Sequence, residues 1–384
     1  DVRLSPREDA NSFFMYTVVG RGLYALAVLR LLRGSSPTTR LALLTTDPDD
    51  PAASSRAPHV VHLMPRPDRN HKAWAREMRH LVRRMKPRLL IPVGEEVLYL
   101  AQLNDECALG PPIFAPPLAA LISLHSKEAF ARLLSNGPEA AAALMPRTVS
   151  YEPSMPATDR AVVLKRAFSR GGLTHELWRP GEPWPPAAIS LCCSGDAGGE
   201  WLVQDYIVGE ALSSFSVVSS GCVTAHVSYA CDLVYSSRVD KAAEEELSGF
   251  SALRSTVAAP DALEAARAVL ECLARASVDS ETWGFAMGLD FVRDKATGRL
   301  YLLECNPRMT SGLALMALEP SAASTVAVAC ATTCASPLAS RGGGGQVTVL
   351  VRPGLRARTM AVAMAGIWNA FLGSRGGFYA ACTL

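Results

Sequence analysis

The sequence predicts a mixed protein in which an α/β region is followed by an α+β region. Strand and helix patterns alternate through the first part of the chain, and prolines concentrate in LGPPIFAPPLAAL, residues 109–121. Residues 284–307 then show the strongest hairpin pattern of the chain. At 384 residues the chain is too long for one small core, and its length suits two or three lobes that share a site.

Composition excludes several classes of protein. The chain has 38 Lys and Arg against 36 Asp and Glu, a net charge of +2, so no bulk field favours nucleic acid or an anionic membrane. The apolar segment 360–373 is shorter than the ~20 residues that a spanning helix needs. The ten cysteines are scattered without CxxC spacing, which favours reduced thiols. We therefore expect a cytoplasmic protein with small-molecule partners and without a signal peptide.

The N-terminal region reads as a parallel sheet. FFMYTVVG, RLALLTT, HVVHLM and RLLIPVG are strand-like, whereas RGLYALAVLRLLR and HKAWAREMRHLVRRMK have helical spacing. Gly20 and Gly22 form a strand-to-helix turn that could cradle a phosphate, but Ala25 replaces the third glycine of GxGxxG. Close helix packing explains both glycines equally well. An oxidoreductase that binds a dinucleotide at this turn therefore remains an alternative.

The middle of the chain predicts a small α+β unit that begins near residue 115. SKEAFARLL is a short helix, AVVLKRAFSRGG is a strand running into a glycine loop, and EWLVQDYIVGE is a strand ending in a turn. Further on, a hairpin is predicted about Ser220 and Gly221. The helix PDALEAARAVLECLARA carries Asp261 and Glu264 at capping-box spacing.

The hairpin of residues 284–307 predicts a metal site. If its turn centres near Thr297, Asp290 and Glu304 lie opposite one another, and strand alternation puts Asn306 on the face of Glu304. Facing carboxylates in an apolar strand repel unless a cation lies between them, and oxygen ligands favour Mg²⁺. The alternative is a surface hairpin with solvated acids. That reading is disfavoured for Glu304, which ends a continuous apolar run.

These motifs resemble those of a known family. LLECNPRMTSGLAL is similar to the C-terminal signature of ATP-grasp enzymes, above all the carbamoyl-phosphate-synthetase-like and carboxylate–amine ligase branch. AVVLKRAFSRGG resembles the lid strand, WLVQDYIVGE the hinge strand beside adenine, and SKEAFARLL the helix that opens the module. The pieces follow in the family's order and cover roughly residues 120–318.

The resemblance implies an ATP-grasp fold with an N-terminal Rossmann-like pre-ATP-grasp domain, a small lid subdomain and a C-terminal antiparallel-sheet subdomain. The implied boundaries are residues 1–115 for the pre-ATP-grasp domain, 116–205 for the lid, 206–335 for the C-terminal subdomain with the Mg-ATP site, and 336–384 for a linker and an extension of unknown role.

The resemblance also implies the site residues, with ATP as cofactor and Mg²⁺, or Mn²⁺ in its place, as metal. The metal ligands would be Asp290, Glu304 and Asn306, and the catalytic residues Arg308 and Lys165. The residues expected at the phosphates are Lys127, Lys165, Ser169, Gly171 and Gly172. Those expected at adenine and ribose are Gln204, Asp205, Tyr206, Ile207 and Glu210.

The implied reaction is ATP-dependent phosphorylation of a carboxylate to an acyl phosphate, followed by attack of an amine. The partners would be a small carboxylate and a small amine, from amino-acid or specialised metabolism, and the chain would form a homodimer. Two alternatives remain: a single-module carbamoyl-phosphate-synthetase-like or other phosphorylating enzyme, and a non-catalytic nucleotide-binding module. Loss of Lys165, Glu304 or Asn306 would favour the second, and all three are present.

Overall fold

The computed structural model describes residues 15–35, 38–152, 154–169, 175–184, 201–235, 250–277, 282–333 and 348–358. Within these ranges the strands form one parallel sheet and two largely antiparallel sheets, which confirms the predicted mixture of α/β and α+β structure. Gly171, Gly172 and the apolar segment 360–373 lie outside the described residues. No helix within the described ranges is long and apolar enough to cross a membrane.

The N-terminal sheet is parallel, with strand order β3-β2-β1-β4. Its strands are β1 (Met15–Val19), β2 (Arg40–Thr45), β3 (Val60–Leu63) and β4 (Leu89–Pro92). Its helices are α1 (Gly22–Ser35), α2 (His71–Met85) and α3 (Glu96–Cys107). Strands β2 and β4 are almost entirely buried, as expected for a parallel sheet with both faces covered.

The glycine turn after β1 is already occupied by a carboxylate. Gly20 and Gly22 have φ of 132° and 70°, a backbone that side chains rarely adopt. The Gly22 N–H donates to Asp50 Oδ1 at 3.1 Å, and the Thr45 hydroxyl donates to Asp50 Oδ2 at 2.6 Å. Because the buried Asp50 carboxylate lies at the start of α1, a second anion there would be repelled. The glycines therefore serve the local turn, which argues against the dinucleotide alternative.

A small antiparallel sheet of strand order β5-β8-β6-β7 follows. Its strands are β5 (Thr148–Ser150), β6 (Val162–Arg166), β7 (Glu176–Trp178) and β8 (Trp201–Asp205), and the preceding helices are α4 (Leu118–His125), α5 (Lys127–Ser135) and α6 (Glu139–Ala142). One face of the sheet carries an apolar cluster that includes Val162, Leu164 and Trp178. The sequence predicted β6 and β8, whereas β5 and β7 are too short to show a periodicity.

The large sheet has the strand order β13-β12-β9-β10-β11-β15, with β14 parallel to β10. Its strands are β9 (Gly209–Ser219), β10 (Cys222–Tyr235), β11 (Phe250–Thr256), β12 (Phe285–Asp294), β13 (Leu300–Asn306), β14 (Val349–Leu350) and β15 (Arg356–Arg358). Its helices are α7 (Pro260–Ala276), α8 (Gly312–Met316) and α9 (Pro320–Thr333). The predicted β9–β10 hairpin is confirmed, with positive φ at Ser220 and Gly221.

The predicted capping box at the start of α7 is wrong. The residue before the helix is Ala259, which has no side chain able to cap, and Pro260 stands in the first turn. Asp261 instead binds Arg293 at 2.7 Å, and Glu264 binds Arg267 at 2.7 Å. For each carboxylate an arginine is a stronger partner than a backbone N–H group. The arginine that binds Asp261 lies on β12, outside the helix.

The large sheet is buried on both faces. One face packs through Phe285, Met287 and Phe291 in a cluster that also contains residues of α5 and α7. The other packs through Phe215 and Val217 against α8 and α9, in a cluster that continues into α1 of the N-terminal sheet. The hairpin that carries the candidate metal ligands is therefore held in a rigid core. Cysteines 107, 222, 272, 305 and 330 are free thiols in the described structure, in accord with the expectation from their spacing.

Gly312 provides a test of this core. A Cβ at Gly312 would lie 2.2 Å from Phe215 Cβ and 2.9 Å from Tyr229 Cε1. We expect Gly312→Ala to lower the free energy of unfolding by about 1–3 kcal/mol, because the close-packed rings must shift. Gly34→Ala in α1 is the matched control, since no described atom lies within 4 Å of its Cβ position. Equal urea midpoints for the two variants would contradict the packing described here.

Candidate active site

The predicted hairpin register is confirmed. Strands β12 and β13 pair antiparallel, with Asp290 opposite Glu304 and Gly288 opposite Asn306. The pairing is irregular directly after Asp290, where the register shifts by one residue. On its other side β12 pairs with β9, which puts Ser213 opposite Asp290. Two strands of the large sheet thus converge on one carboxylate.

Asp290, Glu304 and Asn306 form a connected cluster. The Ser213 hydroxyl donates to Asp290 Oδ1 at 2.7 Å. The Asn306 amide Nδ2 donates to Asp290 Oδ2 at 3.0 Å and to Glu304 Oε1 at 3.4 Å, so it lies between the two carboxylates. Among the described residues no three His, Cys, Asp or Glu side chains converge on one point. A hard cation here would therefore depend on two carboxylates and the amide oxygen of Asn306, a donor set that suits Mg²⁺.

Two buried lysines reach this cluster from different elements. Lys127, the first residue of α5, has its Nζ 3.0 Å from Glu304 Oε2 and donates to the Ser169 carbonyl and hydroxyl oxygens, both at 3.1 Å. Lys165, on β6, donates to Gln204 Oε1 at 2.8 Å and to the Leu303 carbonyl at 3.2 Å. Both lysine side chains are at most 4 % exposed. The structure thus brings together Lys127, Lys165 and the carboxylates of the β12–β13 hairpin, which the sequence predicted in three separate segments.

Burial and mutual charge shift the ionisation of this cluster. Burial lowers the pKa of Lys165 to about 7, and the nearby Lys127 acts in the same direction. Burial and the Glu304 charge raise the pKa of Asp290 to about 7. Burial also raises the pKa of Glu304, but Lys127, Lys165 and His175 outweigh it and hold the pKa at about 2. Without ligand, Glu304 is the permanent anion of the cluster, whereas Asp290 and Lys165 titrate near neutrality.

Arg308 joins the hairpin to the N-terminal sheet. Its Nη2 donates to Asn306 Oδ1 at 3.2 Å, and its Nε lies 3.0 Å from Glu95 Oε1. Glu95 follows β4 and precedes α3. Sequence reasoning missed it, although acids just beyond the carboxyl end of a parallel strand often face a ligand site. The guanidinium is 10 % exposed and held on two sides.

The residues predicted at adenine lie along and after β8. Gln204 is buried and directs its side chain into the lysine cluster, where its Nε2 also donates to the Thr148 hydroxyl at 2.8 Å. The N–H groups of Asp205 and Tyr206 already donate to backbone carbonyls, at 2.9 and 3.1 Å. A base bound beside them would therefore have to use other main-chain groups. Glu210 is exposed and faces Arg293 across β9 and β12, outside the cluster.

Lys127 tests the electrostatics of this cluster. Lys127→Met leaves the partly buried Glu304 without its closest cation, and we expect a loss of about 3 kcal/mol in the free energy of unfolding, the low end for a buried pair. Arg267→Met is the matched control, because its ion pair with Glu264 is exposed and worth less than about 1 kcal/mol. Denaturant titration at pH 7 measures both. A loss in Lys127→Met no larger than in the control would contradict the buried ion pair.

Residues 133–312 match a family model described as the ATP-grasp domain. No match was found among curated protein sequences. The fold resembles biotin carboxylase from Campylobacter jejuni with a TM-score of 0.61 at 13% identity, covering 85% of this chain and 72% of that one. N5-carboxyaminoimidazole synthetase from Staphylococcus aureus gives 0.58 at 13%, covering 85% and 79%. L-amino acid ligase from Bacillus licheniformis gives 0.56 at 10%, covering 79% and 69%.

The family match includes β6, β8 and the β12–β13 hairpin, the segments whose motifs suggested the resemblance. The structural matches extend beyond it and cover most of the chain. The family match confirms, over residues 133–312, the resemblance recognised from the sequence.

Proposed function

We propose that the protein is an ATP-dependent carboxylate–amine ligase. One observation carries the proposal: Lys127, Lys165 and the carboxylates of Asp290 and Glu304 meet at one point although they come from three separate segments. Among the similar structures, one is described as an L-amino acid ligase and another as an N5-carboxyaminoimidazole synthetase. Both descriptions agree with a small-molecule ligase.

The lysines would hold the nucleotide phosphates. Each is a compact positive charge, and each is buried where water cannot compete for a bound anion. Lys165 has a pKa of about 7 without ligand, and a neighbouring phosphate would favour its charged form. Ser169, which accepts from Lys127, would place the start of the glycine loop beside the same phosphates, with Gly171 and Gly172 following it in the chain.

Asp290, Glu304 and Asn306 would hold Mg²⁺. The residues fit this ion, because two partly buried carboxylates face each other, and burial together with the Glu304 charge raises the pKa of Asp290 to about 7. Bound Mg²⁺ would neutralise charge on the phosphates during transfer. The carboxylate oxygens would be ligands directly, whereas Asn306 Oδ1 accepts from Arg308 and would become a ligand only after the amide rotates and exchanges it with Nδ2.

In the proposed reaction, a carboxylate oxygen of the substrate bonds to the γ-phosphorus of ATP and the bond to ADP breaks. The amine nitrogen then attacks the acyl carbon, phosphate leaves, and the nitrogen loses a proton. Arg308, held by Glu95 and Asn306, would stabilise the transferring phosphoryl group or bind the acid substrate. Lys165 would contribute positive charge to the same step. Burial of the cluster would protect an acyl phosphate from water.

We further propose the domain division 1–115, 116–205, 206–335 and 336–384 as pre-ATP-grasp domain, lid, C-terminal subdomain and extension. The sheet ends support the first two boundaries, since the parallel sheet ends at Pro92, the small sheet at Asp205, and the large sheet begins at Gly209. Strands β14 and β15 of segment 336–384 pair with β10 and β11, so this extension would add two short strands to the large sheet. Adenine would lie beside the chain from Gln204 to Ile207, with Glu210 at the ribose.

The first test separates this function from its rivals. We expect Mg-ATP to raise the melting temperature and NADPH to leave it unchanged, because Asp50 occupies the glycine turn that a dinucleotide would need. With paired carboxylates and amines supplied, the wild type should release ADP and Glu304→Gln should release none. ATP binding without turnover on any pair would support a non-catalytic module. Unchanged turnover in Glu304→Gln would reject the site.

The second test concerns Asp290 and pH. Its pKa of about 7 means that below neutrality a metal ion must displace a proton from this carboxyl. We expect Mn²⁺ affinity, measured by electron paramagnetic resonance with ADP present, to rise up to about ten-fold per pH unit below pH 7 and to level above it. Asp290→Asn should bind more weakly and lose most of the slope.

Asp261→Asn is the control for this titration. Asp261 is bound by Arg293, which holds its pKa below the usual range and leaves it ionised throughout. The control should therefore keep the full pH dependence of Mn²⁺ binding. An equal slope in Asp290→Asn and the wild type would exclude Asp290 as the titrating ligand.

A further inference from the structure

His175 lies on the same face of the small sheet as the lysine cluster. Strands β6 and β7 pair Val163 with Leu177 and Leu164 with Glu176, so continuing this register puts His175 opposite Lys165. Residues directly opposite on antiparallel strands project from the same face. The other face is the apolar cluster around Leu164 and Trp178. His175 is therefore directed at the site and away from the core of the small sheet.

One ring nitrogen of His175 is buried and, within the described ranges, unsatisfied. Among the described residues, its Nε2 is inaccessible to water and has no hydrogen-bond partner. His226, in the large sheet, shows the contrasting structural case: its Nδ1 contacts the Ser216 hydroxyl at 2.9 Å and its Nε2 the Ser228 hydroxyl at 3.0 Å. A buried polar atom without a partner is costly, so Nε2 of His175 is suited to a ligand.

The charges around His175 identify the kind of ligand. The groups whose charge acts on the ring are Lys165, Glu304 and Lys127. Burial first and Lys165 second lower the pKa of His175 to about 4, so the ring is neutral at physiological pH. A neutral imidazole offers one N–H donor without further positive charge. An anion held by the two lysines would bring acceptor oxygens to this donor.

We propose that His175 binds the phosphate chain of the nucleotide, with Nε2–H donating to a phosphate oxygen. The inference deepens the proposed function and rests on it. The lysines add positive charge, whereas a neutral N–H donor orients the bound phosphate through a directional hydrogen bond. His175 would thus be a positioning contact of the site that the motifs of the sequence do not reveal.

The test is nucleotide affinity, measured by titration calorimetry without turnover. His175→Leu keeps much of the ring's volume but removes the donor, and we expect it to bind Mg-ADP and Mg-ATP about ten-fold more weakly than the wild type. Adenosine, which lacks phosphate, should bind both proteins equally. His175→Gln places an amide N–H close to the position of Nε2 and should recover most of the affinity.

His71→Leu is the matched control. Nε2 of His71 is also buried and has no partner in the part of the chain that the structure describes, but His71 lies at the start of α2 and stacks on Trp74. This variant should change the melting temperature and leave nucleotide affinity unchanged. Melting curves of all variants identify any that fail to fold; if the leucine variant does, His175→Phe, which also lacks the donor, takes its place.

The outcomes separate the inference from the proposed function. A wild-type protein that binds no Mg-ATP would overturn the proposed function and the inference with it. A wild type that binds Mg-ATP, together with a His175→Leu variant that binds it equally well, would overturn the inference alone. Equal loss of adenosine and Mg-ADP binding in His175→Leu would also reject a phosphate contact.

Discussion

The facing carboxylates of Asp290 and Glu304 are the constraint on which the rest of the site depends. Antiparallel pairing puts them opposite one another in a hairpin whose strand β12 is largely buried. Two adjacent negative charges in such a place are unstable unless positive charge is supplied. The chain answers with the Asn306 amide between them and the Lys127 ammonium against Glu304. The remaining deficit of positive charge lies at Asp290, where the proposed cation would bind.

The small sheet completes the site because its two faces differ. Alternation along β6 turns Val162 and Leu164 towards the apolar cluster and Lys165 towards the large sheet. The apolar face fixes the position of the strand, and that position carries Lys165 to within hydrogen-bond distance of the Leu303 carbonyl on β13. Burial lowers the pKa of Lys165, so this lysine is fully charged near neutral pH only when an anion lies beside it. The same packing that stabilises this sheet thus sets the chemistry at its other face.

The N-terminal sheet contributes to the site through the ion pair of Glu95 with Arg308. Glu95 follows β4 and holds Arg308, which in turn donates to Asn306. The sheet also packs onto the large sheet through α1, α8 and α9, so the ion pair joins elements that are already in contact. A substrate bound near Arg308 would therefore meet residues of both regions. In the glycine turn after β1, by contrast, the Asp50 carboxylate already accepts the Gly22 N–H and the Thr45 hydroxyl, so a second anion would be repelled there.

Much of the fold and the centre of the site could be predicted from local patterns. Strand alternation is a property of a few consecutive residues, which is why it placed Asp290 opposite Glu304, and apolar runs alternating with helical spacing indicated the parallel sheet. The same local reasoning was wrong at Asp261 and Glu264, where capping-box spacing was present but arginines bound both acids.

Only the tertiary structure decided which distant groups meet. Nothing near Lys127 or Glu304 in the chain indicates that their side chains lie 3.0 Å apart, and nothing near Glu95 indicates Arg308. His175 likewise follows a stretch of sequence without periodicity, and its proposed role depends on the strand it lies opposite. Local sequence determines the direction of side chains within an element, because backbone geometry repeats along it. Contacts between elements depend on how whole faces pack, and that is a property of the complete chain.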